Sequence, residues 1–233
     1  MCIRDSNGPG IAVGKFASVP GIRTAAGAFF DIKVIGKGGH GAFPQFAIDP
    51  ITIAAEIIGA IQTIISRTTS PNDSAVLSIT KVHAGDAYNV IPESAMLSGT
   101  VRTFAIDKMQ EIERQMISIS EGISKAHGGT ALVEFNTLFL PVLNEEEATD
   151  LATEVCRDMV GQDNVTTTGS AGTGSEDFSF MSNEVPGCYV IIGNGEDSNA
   201  LHNPNFDFND KALVYGGSFF ARVIEKELAL DQV

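Results

Sequence analysis

The chain has 233 residues, 43% apolar and 19% charged, enough to bury a core in one or two globular domains. Its net charge of −14 and isoelectric point near 4.5 argue against a nucleic-acid partner or an anionic membrane surface, both of which call for a basic face. No apolar run approaches the ~20 residues of a membrane span, and three cysteines (Cys2, Cys156, Cys188) without metal-ligand spacing suit a reducing cytoplasm.

Residues 1–6 match neither the helical nor the strand period and lead poorly into Asn7-Gly8-Pro9-Gly10, so they read as a foreign head. Gly10 to Ala17 predicts a strand already inside a fold. From Ala28 the pattern becomes regular, with Phe30, Ile32 and Val34 alternating against Asp31 and Lys33 as in a half-buried strand. Ile35 to Pro44 is a glycine-rich loop presenting His40. It lacks the Gly-Lys-Ser/Thr ending of a phosphate loop. Asp49-Pro50 predicts a capped helix with Ala54, Ile57, Ile58, Ile61, Ile64 and Ile65 on one face, ending near Arg67. Ala75–Val82 and Met96–Phe104 predict strands on either side of the Asn89-Val90-Ile91-Pro92 connection. Asp107 with Gln110 resembles a capping box for a second helix, stopped at Gly128-Gly129, and Thr130–Asn136 predicts a further strand. This order, β-α-β-β-α-β over residues 28–138, is that of a ferredoxin-like sandwich.

The texture then changes. Asn144 is expected to cap a helix opened by Glu145, Glu146 and Glu147, followed by a short strand near Val165. Ser170 to Phe178 reads as a polar loop opening a short helix, and Cys188–Gly193 as a buried α/β strand. Leu201-His202-Asn203-Pro204 precedes a last helix capped by Asn209, with Leu213, Phe220, Val223 and Ile224 inward. Residues 1–27 and 139–233 thus form a partial α/β layer into which 28–138 is inserted.

His40 and His202 stand on loops, and the residues alone leave both open: a solvated histidine or a functional one. His83 and His127 read as solvent-facing or structural. There is no Gly-x-Ser-x-Gly elbow, and three protein ligands for a catalytic metal cannot be assembled from spacing.

Several motifs occur together in order: Gly36-Lys-Gly-Gly-His40, Asp49-Pro50, Gln62 to Arg67, Asn89-Val-Ile-Pro92, Gly99 to Phe104, Ser175-Glu-Asp-Phe178 and Leu201-His-Asn-Pro204. Over about Gly10 to the last helix the chain resembles the metal-dependent amidohydrolases that group hippurate hydrolase, N-acyl-amino-acid deacylases and auxin-conjugate hydrolases, kin of aminoacylase and glutamate carboxypeptidase. The resemblance implies a catalytic α/β sandwich domain using two divalent ions (Mn, Zn, Co or Ni) and an inserted ferredoxin-like lid that pairs subunits into a homodimer. It implies His202 as a metal ligand and His40 as the lid histidine that stabilises the oxyanion in the neighbouring subunit's site. Asn89 and Arg102 would hold the N-acyl amino acid, with Arg102 on its free carboxylate, and Gly174 and Ser175 would line the site.

The family's other metal ligands and its general-base glutamate lie N-terminal to this segment and have no match here. The chain is therefore expected to be the C-terminal portion of a cytoplasmic amidohydrolase, inactive alone. Rival readings are a non-enzymatic dimerising module built on the ferredoxin-like part, and a dipeptidase or diaminopimelate-type deacylase.

Overall fold

A computed structural model describes residues 1–228. It divides into two compact units: Met1–Thr24, Val142–Gly172 and Glu176 onward in the first, Ala25–Pro141 with Thr173–Ser175 in the second. In chain order the first unit opens with β1 (Cys2–Pro9), β2 (Phe16–Ala17) and β3 (Gly21–Thr24). The second contains β4 (Ala26–Ile35), β5 (Gly39–His40), α1 (Pro50–Thr63), β6 (Ala75–Ala84), β7 (Val90–Ile91), β8 (Ser94–Thr103), α2 (Ile106–Ala126) and β9 (Thr130–Phe139). The first then resumes with β10 (Val142–Asn144), α3 (Glu146–Val160), β11 (Val165–Thr166), α4 (Phe178–Glu184), β12 (Gly187–Gly195) and α5 (Lys211–Glu227).

In the second unit α1 starts where the sequence signals it. Asp49 accepts from the Ile51 amide at 2.9 Å, and Pro50 takes the first helical turn without forfeiting a needed donor. The helix runs on through a π-turn at Ile64–Thr68, where the Thr68 and Thr69 hydroxyls both donate to the Ile64 carbonyl. This segment, Pro50–Thr68, is long and apolar enough to cross a membrane on composition, which corrects the reading that no run approaches that length. Its apolar face instead packs inward: Ile53, Ile57, Ile61 and Ile64 are buried against Phe30, Ile32, Val34 and Leu97 of the sheet. Each such side chain contributes about 1.5–3 kcal/mol on full burial.

That sheet is antiparallel throughout, in the order β6-β8-β4-β9. Even-numbered residues of β4 are buried and Phe29, Asp31 and Lys33 are exposed, so the other face of the sheet is open within this unit. The expected capping box of α2 is not formed. Ala105 is the N-cap, and the Asp107 carboxylate, inside the first turn, accepts from the Lys108 amide and faces the positive helix end. Gly128 ends the helix with φ +78°.

The first unit has a sheet in the order β1-β12-β2-β11, with β1 parallel to β12 and β2 antiparallel to it. A strand therefore runs through residues 2–9, earlier than expected, and the stretch after it turns at Gly10 and Gly14, both at positive φ. Period failed at 1–6 because these side chains are mostly half-buried, without a clean in–out alternation. Helices α3 and α5 pack Ala152, Cys156, Ala212 and Phe219 on Phe16, Cys188 and Val190.

Two further expectations change. Glu145, not Asn144, caps α3, accepting from the Glu147 and Ala148 amides. Asn144 is 2% exposed and spends its amide on Val19 O, Tyr189 O and Tyr189 N, a cross-link between strands. On α5 the inward row is Ala212, Gly216, Phe219 and Val223; of the expected stripe only Val223 is buried, and Leu213, Phe220 and Ile224 are exposed. Two glycines in succession, Gly216 and Gly217, hide which side faces the sheet. Asp210, not Asn209, is the N-cap of α5, although Asn209 Oδ1 accepts from the Lys211 amide at 3.2 Å.

Candidate active site

The glycine-rich loop after β4 folds back as β5 against β7, pairing His40 with Val90 and Gly39 with Ile91. The Gly41 amide donates to Asn89 O at 2.8 Å, so His40 and Asn89 lie side by side. Glycine is required here by proximity: a side chain on Gly38 would meet Ile91 O at 3.0 Å, and on Gly36 would overlap Ile48 O. The His40 ring is exposed and leans on Phe43, centroids 5.4 Å apart. Its Nδ1 accepts from the Ala42 amide at 3.0 Å. In the neutral ring that bond leaves the proton on Nε2, facing outward as a donor. The same bond disqualifies Nε2 as a ligand of the neutral ring, because Nε2 then has no free lone pair. The loop builds a hydrogen-bond donor.

Arg102 lies on β8, opposite Gly27 of β4 and Val76 of β6. Its Nη1 donates to Thr100 Oγ1, to Val101 O at 2.9 Å and to Ala28 O at 3.5 Å. Nη2 and Nε have no acceptor, and no carboxylate pairs with this half-buried guanidinium among the described residues. A partly desolvated cation without a counter-ion favours an anionic ligand. The Thr173–Ser175 strap comes alongside, the Ala25 amide donating to Gly174 O at 2.9 Å. Ser175 Oγ is buried and has no hydrogen-bond partner. Both groups converge on the side chain that Gly27 lacks: a Cβ there would stand 2.6 Å from Ser175 Oγ and 3.3 Å from Arg102 Nη1. An orphaned hydroxyl, an unpaired guanidinium and a bare backbone make a cradle suited to a carboxylate.

The predicted residues of this unit thus fall into two groups. His40 and Asn89 stand just before Ser94, where β8 begins, while Arg102, Gly174 and Ser175 cluster near its far end. Eight strand steps from Ser94 to Arg102 span about 25 Å. One small substrate cannot touch both groups of a single copy.

His202, in the first unit, sits on an exposed turn after β12 at φ +66°, the one non-glycine residue at positive φ among the described residues. That conformation costs an unbranched side chain about 1 kcal/mol or more, a pattern often found at functional loops. Its ring has no protein partner, and no group of three or more His, Cys, Asp or Glu that could hold a metal ion is found among the described residues. A two-ion centre does not fit this donor set. Nearby in sequence to Ser175, Glu176 is held by the Tyr189 hydroxyl, which donates to Oε2 at 3.0 Å, and by Arg4 at 3.7 Å. Burial, reinforced by the Glu176 charge, pushes the Tyr189 hydroxyl up to about 12.

Gly27 was not singled out from sequence. The available signal was a glycine at the mouth of an alternating strand, which marks close approach by another group. Phe43 was likewise not singled out, although its ring lies against that of His40.

Residues 6–226 match the model of Peptidase family M20/M25/M40. The chain is 35% identical over 214 residues to hippurate hydrolase of Campylobacter jejuni, covering 92% of this chain and 56% of that protein. It is 32% identical over 226 residues to IAA-amino acid hydrolase ILR1-like 4 of Arabidopsis thaliana, covering 94% and 51%. Among solved structures it superimposes with TM-score 0.79 and 29% identity on the YXEP protein of Bacillus subtilis, described as a dinuclear metal binding peptidase, covering 97% of this chain and 57% of that one. The chain spans about half the length of the curated relatives it matches.

Proposed function

Because the chain belongs to peptidase family M20/M25/M40, we propose that it carries the substrate-holding part of a cytoplasmic hydrolase that cleaves the amide bond of N-acyl amino acids. The observation that carries this reading is the unpaired Arg102 fork beside the orphaned Ser175 hydroxyl over Gly27. Arg102 grips the free carboxylate through Nη2 and Nε, and Ser175 donates to the same group. At the other end of the sheet, the His40 Nε2 proton is offered to the oxygen on which negative charge develops as the carbonyl turns tetrahedral. One such donor typically contributes about 3 kcal/mol. Asn89 stands beside it as a second polar group.

The second unit, with its β-α-β-β-α-β order, is in this reading a ferredoxin-like lid. The separation of about 25 Å along β8 supports a homodimer in which His40 and Asn89 serve the site of the other copy. The free edge of β6 and the exposed residues of α1 (Ala55, Gly59, Gln62) are offered as the surfaces of that contact. Divalent ions of the Mn, Zn, Co or Ni kind belong to the proposal through the family and its dinuclear neighbour. On this chain His202 alone is offered as a donor, and no step is assigned to a metal here.

Hippurate titrated into the ¹⁵N-labelled chain should shift amides around Gly27, Arg102 and Ser175, and Arg102→Ala should abolish those shifts. Unchanged binding in the variant refutes the reading. The chain alone should release no glycine from hippurate with added manganese or zinc, whereas fusion to the N-terminal half of the Campylobacter relative should restore release that Arg102→Ala removes.

A further inference from the structure

Beside the cradle, the open face of the second unit's sheet carries an aromatic ring that the proposed chemistry does not use. Phe29 lies on β4, two residues along from Gly27 and on the same face, and is 53% exposed. The Arg102 guanidinium carbon lies 5.8 Å from its ring centroid. Directly across Arg102, on β6, Val76 is 45% exposed. The guanidinium is therefore flanked on two strands by apolar side chains that are about half exposed within this unit. Beyond Phe29 the face is charged with both signs, Asp31 and Lys33 on β4, Glu134 on β9 and Lys81 on β6.

Geometry joins these features. In an α-amino acid the side chain leaves the carbon that bears the carboxylate, so holding the carboxylate fixes where the side chain begins. From a carboxylate on Arg102, the side chain emerges within van der Waals reach of Phe29 or Val76, where apolar contact needs about 4–4.5 Å between heavy atoms. An acidic side chain aimed the same way gains no such contact and loses hydration against the apolar walls.

We infer that Phe29 and Val76 are specificity-determining residues: they select N-acyl amino acids whose amino-acid side chain is large and apolar, such as phenylalanine or leucine, over glycine and over acidic residues. This rests on the reading of Arg102 as the carboxylate clamp, and the test separates the two.

The ¹⁵N-labelled chain is titrated with N-acetyl-L-phenylalanine, N-acetylglycine, N-acetyl-L-aspartate and N-acetyl-L-phenylalaninamide, and dissociation constants are read from amide shifts. Covering a half-exposed aromatic ring should make the phenylalanine compound bind about tenfold tighter than the glycine one. The aspartate compound should bind no better than the glycine one, and the amide, lacking a carboxylate, should not bind. Phe29→Ala should bring the phenylalanine-to-glycine ratio to within about twofold while leaving the glycine affinity unchanged. Phe29→Leu, which keeps an apolar wall, should retain most of the ratio, and serves if the alanine variant is poorly folded. A ratio that Phe29→Ala leaves intact overturns the inference. So does an equal loss for all carboxylates, which would mean that the ring only steadies the guanidinium. If affinity for none of the carboxylates depends on Arg102, the clamp itself fails, a different result that takes this inference with it.

Discussion

Gly27→Ala separates the proposed binding role of the cradle from any role in packing. The new methyl would stand 2.6 Å from Ser175 Oγ and 3.3 Å from Arg102 Nη1, both closer than a relaxed contact. Gly27 is not at positive φ, so alanine fits the backbone and narrows the unfolded ensemble, a gain of about 0.4–1 kcal/mol. Against that, the Ser175 side chain must leave its well or the strap must shift, at about 0.5–1.5 kcal/mol. The two nearly cancel, and the melting temperature should move by no more than about 4 °C. Binding should respond far more. Hydrogen bonds to charged groups contribute about 1.5–3 kcal/mol, and pushing the hydroxyl and the fork apart should weaken hippurate binding roughly 10- to 100-fold. Thermal unfolding by circular dichroism and an amide-shift titration measure the two quantities on one sample. A variant that binds hippurate as tightly as the parent refutes the cradle. A large fall in melting temperature with binding retained shows that Gly27 is there for packing.

Asn144→Ala should cost about 3 kcal/mol in urea unfolding, since it strips a donor or acceptor from three buried backbone groups at Val19 and Tyr189. Asn144→Asp, which sets a buried carboxylate against the Val19 and Tyr189 carbonyls, should cost at least as much; a loss under about 0.5 kcal/mol for alanine would show that water replaces these bonds. For Tyr189, an ultraviolet titration should find the phenol ionising near pH 12. The folded value lies above the ordinary tyrosine value near 10, so the stabilisation is fully present below about pH 10 and lost as pH rises toward 12. Tyr189→Phe should flatten that alkaline limb, and an unchanged limb would contradict the assignment.

Period and capping chemistry made the second unit largely legible. Alternation through β4, the Asp49-Pro50 start of α1 and the Gly128 stop of α2 are local signals, and each element forms where its own residues direct it. The first unit was harder because its decisive contacts are long-range. Asn144 reads as a cap from its neighbours, yet its role is set by Val19 and Tyr189, far away in the chain. The α5 stripe was misplaced for a related reason: Gly216 and Gly217 carry no side chain to mark the inward face. At the site, His40 and His202 stand out as loop histidines from the residues alone, whereas Asn89, Arg102, Gly174 and Ser175 are reached only through a resemblance. What no spacing conveys is grouping. That Ser175 meets Arg102 over Gly27, and that His40 lies a strand's length away, follows from strand register and a short strap.

Strand β8 acts as a ruler between the His40 loop and the Arg102 cradle, and a ruler of this kind has coarse graduations. Removing one residue between Ser94 and Arg102 would turn the guanidinium to the buried face; removing two would keep its aim but draw the groups about 7 Å closer. Because β8 is laddered to β4 on one side and β6 on the other, any such edit needs a matching edit in both neighbours. The distance between the two groups is thus quantised by the pleat.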